Sequence, residues 1–393
     1  MRKMMVIFIV FCLGCAGDPG VKVEPVQPSA QTEPSFYVSA AGADHNDGLS
    51  ENTPFRTLMM ALIMMQMPEE PIRKITVIGT LDINSEDVSH MSAIDRPEDA
   101  GVFIIAMAFG SDPIDILITG KPEASGADRA VLSGRGSGRD VVHIGSMEGF
   151  PSLSIRFEHI EISGGEGLIG RGIHVAGYNE NGISVTLGPG AVIQRNGFGI
   201  VLEENAECII NGGEITDNIY GVYVDHDSTL TMSGGSISNN GASYSDCGGV
   251  FVNGNFNMTG GSITNNRASD GGGVVVLHDG TFSMSHGSIT YNQAANGGGV
   301  FVNIGGRFTI SGIPLSIPPR GGSVTHNEAT NGGGVFVAPD GILTPLGGSI
   351  TNNRAVNGGG VFMYPGSMQT LVRGGGTRVT NNIAERGDPD WGR

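Results

Sequence analysis

The sequence predicts an all-β protein built as a right-handed parallel β-helix. Three observations lead to this prediction: a unit of similar sequence recurs, apolar residues alternate within it with a period of two, and Gly is abundant while only 16% of residues are charged. The stretch GGSITNNRASDGGGVVV, residues 260–276, nearly recurs as GGSITNNRAVNGGGVFM, residues 347–363. Because an active site is normally present once and a structural unit many times, the recurrence indicates a repeat array.

Two independent series of positions mark the repeat. The first is the Ile or Val of each GSITNN-like segment: Ile193, Ile215, Ile237, Ile263, Ile289, Val324, Ile350 and Val379. The second is the first apolar residue after each Gly cluster: Ile200, Val222, Val250, Val274, Val300, Val335 and Val361. The first series advances in steps of 22, 22, 26, 26, 35, 26 and 29 residues. Three short strands and their turns fit this length, whereas a propeller blade needs roughly 40 residues or more.

Stacking of equivalent residues explains the composition of the repeat. Strands of successive coils lie about 4.8 Å apart, so stacked like charges would repel, whereas stacked Asn amides can hydrogen-bond along the column. We expect the Gly runs to supply positive φ at the corners. One Asn ladder is predicted at an inner turn, formed by Asn196, Asn218, Asn240, Asn266, Asn292, Asn327, Asn353 and Asn382. The predicted inward residues include Phe256, Met258, Phe282, Met284, Phe308 and Ile310.

The part of the chain before these repeats is less regular but still strand-like. Segments such as ITVIGTLDI and LSIRFEHIEIS alternate apolar and polar residues, which favours β-strands. We assign residues 71–393 to the β-helix, with regular repeats from about residue 185 and degenerate coils before it.

The N-terminus predicts export. Residues 1–14 of MRKMMVIFIVFCLGC have a basic start and an apolar run too short to span a membrane. With Gly14 before Cys15, they resemble a bacterial lipoprotein signal peptide, which implies that Cys15 carries the lipid, including palmitate-like acyl chains that hold the chain on a membrane. The alternative is an ordinary signal peptide with an incidental Cys. Residues 15–35 are Pro-rich and aperiodic and predict a tether.

Charge limits the possible partners. The formal net charge is −17 over 393 residues, and a nucleic-acid partner is therefore not expected, because phosphate binding requires a positive field. The two cysteines in the repeats, Cys208 and Cys247, align with an inward apolar position and a turn respectively, so we expect free thiols.

A second resemblance lies in FYVSAAGADHNDGLSENTPFRTLMMAL, residues 36–62. It resembles the N-terminal motif of secreted right-handed parallel β-helix proteins of the pectate-lyase-like superfamily, in which a strand leads to a Gly-x-Asp-x-x-Asp-Gly turn, Pro-Phe-x-Thr and a short helix. The matching residues are Tyr37, Val38, Gly42, Asp44, Asp47, Gly48, Pro54, Phe55 and Thr57. The resemblance implies that residues 36–70 are an initial strand and a helix that caps the solenoid. Structural calcium at Asp44 and Asp47 is the alternative role for this turn.

The GGGV and ITNN segments also resemble the repeats of polymorphic outer-membrane proteins. Those proteins carry a C-terminal membrane barrel, for which the ending NNIAERGDPDWGR leaves no room. We therefore expect a lipid anchor instead, at the outer membrane or cell surface.

The choice between binding protein and enzyme rests on the charged residues. Polysaccharide lyases of this fold need a basic residue and hydrolases need clustered carboxylates, but the coils from Ile193 onward contain no Lys. The best acidic cluster is Asp225–Asp227, which could bind a cation or form a solvated turn. The nine His residues have no metal-ligand spacing, and no metal site or catalytic residue is assigned. The sequence therefore favours a binding, adhesion or structural solenoid, with a secreted lyase or glycoside hydrolase as the alternative.

One aromatic row is the candidate ligand site. In the GVFV segments the valines alternate with a middle residue, and if the valines point inward the middle residues stack on the outer face. The row comprises Tyr223, Phe251, Val275, Phe301, Phe336 and Phe362. We expect an exposed strip that stacks on a glycan or protein; the alternatives are that the rings cover each other or belong to the core.

Overall fold

The structure of the protein is a computed structural model. It describes residues 33–65, 67, 72–82, 103–105, 114–121, 129–136, 139–145, 152–165, 167–177, 182–242, 245–313, 320–365 and 376–392. The segment Pro34–Arg393 forms one unit, in which strands of successive repeats pair in parallel and stack into long sheets. This all-β architecture is consistent with a parallel β-helix. The predicted signal peptide 1–14, Cys15 and residues 16–32 of the predicted tether lie outside the described residues.

The largest sheet, here sheet 1, consists of two parallel columns. The first column contains Phe36–Ser39, Lys74–Ile78, Ile114–Lys121, Leu153–Glu158, Ile183–Leu187, Ala206–Ile210, Thr229–Met232, Arg307–Ile310 and Ile342–Pro345. The second contains Thr80–Asp82, Ala130–Ser133, Ile160–Ser163, Val192–Gln194, Glu214–Thr216, Ser236–Ser238, Ser323–Thr325, Ser349–Thr351 and Arg378–Thr380. The two long strands Asn255–Thr264 and Thr281–Thr290 run through both columns and join them.

Sheet 2 is a single parallel column. Its strands are Phe103–Ile105, Val142–Gly145, Arg171–Ala176, Phe198–Glu203, Tyr220–Val224, Val250–Val252, Val274–Val276, Val300–Val302, Val335–Val337, Val361–Met363 and Trp391–Gly392. Sheet 3 is shorter and contains Gln293–Asn296, Glu328–Asn331, Arg354–Asn357 and Ile383–Arg386. Both repeat anchors fall in register, since Ile193 pairs with Ile215 in sheet 1 and Ile200 pairs with Val222 in sheet 2.

The core follows from the period-two alternation, because every second side chain of a strand points to the same side. Phe256, Phe282 and Phe308 are fully buried, and their rings stack with centroids 4.6 and 4.8 Å apart. The expected inward residues Met258, Met284 and Ile310 are also buried. Cys208 lies in register with Leu230, and both Cys208 and Cys247 are buried free thiols.

The Gly triplets have two separate physical roles. The first Gly of a triplet adopts positive φ, as in Gly297 at 62°, which is the corner role that the sequence predicts. The third Gly is required for close packing: a Cβ on Gly334 would lie 2.7 Å from Ile350 Cγ2 and 2.9 Å from Asn353 Nδ2. The ladder Asn of the next coil therefore occupies the space that a side chain would fill.

The N-terminal turn is held by its own carboxylates. Asp44 Oδ1 accepts hydrogen bonds from the backbone N–H of Arg56 and Thr57, at 3.0 and 2.9 Å. Asp47 Oδ1 accepts from the Thr53 hydroxyl at 2.6 Å. The helix Leu58–Met65 follows, and the Thr57 hydroxyl accepts from the N–H of Met60 at 3.1 Å, as an N-cap does. Among the described residues no helix has the length and hydropathy needed to cross a membrane.

The extra residues between Ile289 and Val324 begin and end in an antiparallel pair. Gly312–Ile313 pairs with Arg320–Gly321, whereas the strands on either side pair in parallel with the neighbouring coils. This pairing lets the inserted segment leave and re-enter the coil at one point. Residues 314–319, between these two strands, lie outside the described residues.

Candidate functional site

The predicted ladder residues lie together in one buried column. Each Asn up to Asn353 donates from Nδ2 to Oδ1 of the Asn in the next coil at 3.0–3.1 Å. Each Oδ1 also accepts from the backbone N–H of the preceding ladder residue, for example Asn240 N to Asn266 Oδ1 at 2.9 Å. The last member, Asn382, donates to Asp390 Oδ1 at 2.9 Å. A carboxylate suits this end of the ladder because it only accepts hydrogen bonds.

The residue before each ladder Asn takes the left-handed conformation. All eight are exposed and have φ between 54° and 61°: Arg195, Asp217, Asn239, Asn265, Tyr291, His326, Asn352 and Asn381. Asn tolerates this conformation better than other non-Gly residues. The NN dipeptide therefore combines a left-handed corner with a buried amide.

A second ladder runs along sheet 3, and the sequence analysis missed it. Asn357 donates to Asn331 at 2.7 Å, Asn331 donates to Asn296 at 2.8 Å, and Asn296 donates to Asp270 at 2.8 Å. This ladder also ends on a carboxylate. The signal was the residue immediately before each Gly triplet, which is Asp270 or one of these Asn residues. In both ladders the side chains are hydrogen-bonded to one another, so they serve to hold the strands together. The candidate site is therefore the outer face of sheet 2, the side that points away from the core.

The predicted aromatic row lies on sheet 2 between fully buried valines. Tyr223, Phe251 and Val275 pair successively in register, and the row continues through Phe301 and Phe336 to Phe362. The side chains of Val335 and Val337 belong to the core cluster, whereas Phe336 does not.

The row is more covered than an exposed strip would be. The Phe336 ring lies 5.1 Å from that of Phe301 and 5.4 Å from that of Phe362, with interplanar angles of 8° and 17°. Because both of its faces are covered, Phe336 is only 7% exposed. Val275, which stands in the same row, is 3% exposed. Ring faces that cover each other are not available to a ligand, so at this end of the row only ring edges and the half-buried Phe301 and Phe362 contribute to the surface.

The same row continues towards the N-terminus into two histidines that sequence reasoning missed. Tyr223 pairs with Val201, Val201 with His174, and His174 with His143. The signal was available, because extending the second anchor series back from Ile200 to Ile173 and Val142 places a His at the middle position of each strand.

These histidines belong to a charged cluster. His174 Nδ1 lies 2.9 Å from Asp140 Oδ2, and His174 Nε2 lies 2.8 Å from Glu203 Oε2. Arg171 Nη1 lies 2.6 Å from the same His174 Nδ1. The His143 ring meets the His174 ring edge-on at 4.7 Å, and His143 Nδ1 lies 3.5 Å from Asp140 Oδ2. The cluster thus places two imidazoles, two carboxylates and one guanidinium on one face of sheet 2.

The cluster shifts the pKa of its members. Burial by itself would raise the pKa of Asp140, but the adjacent imidazoles of His143 and His174 and the charges of His174 and Arg171 lower it to about 2. Burial opposes protonation of His174, yet its contacts with Asp140 and Glu203 raise its pKa above the ordinary value. The hydrogen bond from His174 lowers the pKa of Glu203. The carboxylates are therefore held ionised beside a histidine that readily takes a proton.

A polar patch adjoins the cluster on the next coils. The Tyr223 hydroxyl donates to Asp225 Oδ1 at 3.2 Å, and Asn253 Nδ2 donates to the same oxygen at 3.0 Å. Phe198 and Tyr220, half-buried on the same sheet, stack with centroids 4.5 Å apart. Of the acidic segment Asp225–Asp227, Asp225 joins this patch, while Asp227 is exposed in a left-handed turn.

Comparison of the chain with protein-family models, with curated proteins and with solved structures gave no match. The surface of sheet 2 therefore has to be interpreted from its own geometry. It offers ionised carboxylates, a proton-accepting imidazole, amide and hydroxyl groups, and an adjacent aromatic pair, which together can bind a polyhydroxylated ligand.

Proposed function

We propose that this chain is a secreted solenoid that binds an extended glycan along the outer face of sheet 2. In this proposal the parallel strands wind as a right-handed β-helix with three short strands per coil, and the helix Leu58–Met65 caps its N-terminal end. Cys15 carries lipid and anchors the chain at the outer membrane or cell surface, with residues 15–35 as the tether. Such a protein acts in adhesion or in organising surface polysaccharide.

One observation carries the glycan assignment. Glu203, Tyr223, Asp225 and Asn253 present hydroxyl, carboxylate and amide groups from three successive coils on one half-buried face. Sugar hydroxyls both donate and accept hydrogen bonds, so a set of fixed donors and acceptors recognises them directly. The coils repeat about every 4.8 Å, so a ligand lying along the solenoid axis can contact several coils at once.

The neighbouring aromatic pair supports the same assignment. Phe198 and Tyr220 stack on each other, and Phe251 connects them to the polar patch, because its ring lies 6.1 Å from that of Tyr220 and 6.2 Å from that of Tyr223. These half-buried rings offer apolar contact next to hydrogen-bonding groups. Carbohydrate and protein sites commonly combine a large amphipathic ring with polar side chains. Phe301, Phe336 and Phe362 extend the apolar surface further along the sheet but contribute ring edges rather than open faces.

Affinity electrophoresis of the purified full chain through gels containing single acidic or neutral polysaccharides tests this proposal. The Asp225→Ala and Tyr220→Ser variants should migrate freely through a gel that retards the parent chain. Glu207→Ala is the matched control, because it removes an exposed carboxylate from sheet 1. Equal retardation of Asp225→Ala and the parent would show that the ligand binds elsewhere, and no retardation in any polysaccharide would reject the glycan assignment.

A second candidate function is glycoside cleavage. Glu203 and Asp225 directly follow the paired residues Leu202 and Val224, so they extend from adjacent strands. Strand spacing of about 4.8 Å is near the separation of about 5–5.5 Å between the carboxyl groups of retaining glycosidases. Incubation with a polysaccharide should increase the number of reducing ends if the chain cleaves it. Cleavage is established if Glu203→Gln abolishes this increase but is still retarded in the gel. Polysaccharides recovered uncleaved would show that the chain binds without cleaving.

A further inference from the structure

We infer that Asp140, His143 and His174 form a binding site for a divalent first-row transition metal such as Zn²⁺. One possible ligand atom from each of the three residues lies within 4.8 Å of the other two, and Asp140 Oδ2 lies 3.5 Å from His143 Nδ1 and 2.9 Å from His174 Nδ1. The three residues are buried or nearly so, and they come from consecutive coils of sheet 2 and the loop before it. Register pairing of two strands places the histidines side by side, and Asp140 lies two residues before the first of these strands.

The unused ring nitrogen of His143 is the first sign of a missing ligand. Among the described residues, His143 Nδ1 is the buried side-chain polar atom without a hydrogen-bond partner. Buried polar atoms in proteins are nearly always paired, so each exception calls for a cause. A metal ion bound at this atom would satisfy it, because a neutral imidazole nitrogen without a proton is a good metal ligand.

Incompatible contacts at His174 are the second sign. His174 Nδ1 lies 2.9 Å from an acceptor, Asp140 Oδ2, and 2.6 Å from a donor, Arg171 Nη1. One nitrogen cannot satisfy both: with a proton it opposes Arg171, and without one its lone pair faces the carboxylate. A cation between His174 and Asp140 removes the conflict, since it accepts both lone pairs and replaces the charge of Arg171.

Glu203 supplies the outer contact that metal-binding histidines typically have. It accepts from His174 Nε2 at 2.8 Å. A metal ligand is the neutral imidazole, and with its one proton on Nε2 the lone pair of Nδ1 is directed towards Asp140. The resulting carboxylate–histidine–metal arrangement fixes the tautomer and the ring orientation. Glu203 is shared with the proposed glycan surface, but the three metal ligands are not among the groups that carry the glycan assignment, so metal binding and glycan binding can be tested separately.

The donor set selects the kind of metal. Two nitrogens and one carboxylate suit Zn²⁺ and its first-row neighbours, whereas Ca²⁺ and Mg²⁺ prefer oxygen ligands alone. Ligand atoms around a tetrahedral zinc lie about 3.4 Å apart, given bond lengths of about 2.1 Å. The contacts of 2.9 and 3.5 Å to Asp140 Oδ2 are close to this spacing. Three protein ligands leave a fourth position open to water or ligand.

Competition between the metal-free full chain and a chromophoric chelator for Zn²⁺ tests the site. We expect one equivalent of Zn²⁺ per chain, unaffected by excess Ca²⁺. His143→Ala and Asp140→Asn should weaken binding at least 10-fold, and Glu203→Gln should weaken it about 10–100-fold, as loss of an outer contact does. His286→Ala, which removes an exposed His from another part of the chain, is the matched control.

Arg171→Met gives the sharpest test, because it should have the opposite effect. Arg171 competes with the cation for His174 Nδ1, so its removal should tighten Zn²⁺ binding, while a purely structural role of the cluster predicts no gain. Co²⁺ bound to this variant should give the intense visible bands of a four-coordinate site. Unchanged affinity in both His143→Ala and Arg171→Met, or no stoichiometric Zn²⁺ binding by the parent chain, would overturn the inference.

Discussion

Removal of one ladder amide should destabilise the solenoid far more than removal of an exposed amide from the same repeat. Asn266 is 1% exposed and its side chain makes four hydrogen bonds. Nδ2 donates to Ile237 O and Asn292 Oδ1, and Oδ1 accepts from the backbone N–H and the Nδ2 of Asn240. At a net value of about 1 kcal/mol for each bond, Asn266→Ala should lower the free energy of unfolding by about 4 kcal/mol.

Urea denaturation followed by circular dichroism measures this loss, with Asn257→Ala as the matched control. Asn257 is exposed in the same strand region, and its truncation should change the free energy of unfolding by less than about 0.5 kcal/mol. Repeat arrays can lose cooperativity, so the slopes of the transitions need to agree before midpoints are compared. Equal stability of the two variants would refute the claim that the ladder holds the coils together.

Stability should depend on pH through the charged cluster of sheet 2. Burial alone would raise the pKa of Asp140, but the adjacent imidazoles outweigh it and hold the folded pKa at about 2, below the ordinary value of 3.8. In the metal-free chain roughly 2 kcal/mol of stability is therefore present above about pH 4 and lost as the pH falls towards 2. The raised pKa of His174 acts in the other direction: its stabilisation is present below about pH 6.5 and lost as the pH rises. Urea midpoints at several pH values should therefore be highest between about pH 4 and 6.5, and Asp140→Asn should flatten the profile. Tyr291 has φ of 58°, so Tyr291→Asn should raise the thermal midpoint by relieving part of a strain of about 1–2 kcal/mol. The reverse exchange at the equivalent position, Asn265→Tyr, should lower the thermal midpoint. A shift of the midpoint in the same direction in both variants would contradict the argument. Gly334→Ala would force a Cβ to within 2.5 Å of a backbone oxygen and should lower the free energy of unfolding by about 3 kcal/mol or more. An unchanged urea midpoint would show that the third Gly is not needed for packing and that the triplet only supplies the positive φ of its first residue.

The repeat made the stacking of equivalent residues predictable from the sequence. The spacing of the Ile and Val anchors placed equivalent residues of successive repeats in register, and Phe256, Phe282 and Phe308 stack as inward residues. The Gly triplets were only half understood. Their first residue has the expected positive φ, but the third is Gly because a ladder Asn fills the space above it, and a packing constraint between coils has no local sequence signal.

The histidine cluster was harder to predict because His143 and His174 lie where the repeat is degenerate. His143 and His174 are 31 residues apart, and only the strand register makes them neighbours. The exposure of the aromatic row was overestimated for a related reason. Alternation indicates which side of a strand a ring lies on, but not that Phe301 and Phe362 cover both faces of Phe336.

Fluorescence of a single tryptophan placed at Tyr220 tests most directly whether the outer face of sheet 2 binds a glycan. The chain has one Trp, Trp391, so Trp391→Phe removes the background and Tyr220→Trp places the probe beside Phe198. Titration with each polysaccharide should shift the emission of this probe, with the same midpoint as retardation in the gel. A polysaccharide that retards the chain without shifting the emission, or an emission that no polysaccharide shifts, would contradict the account.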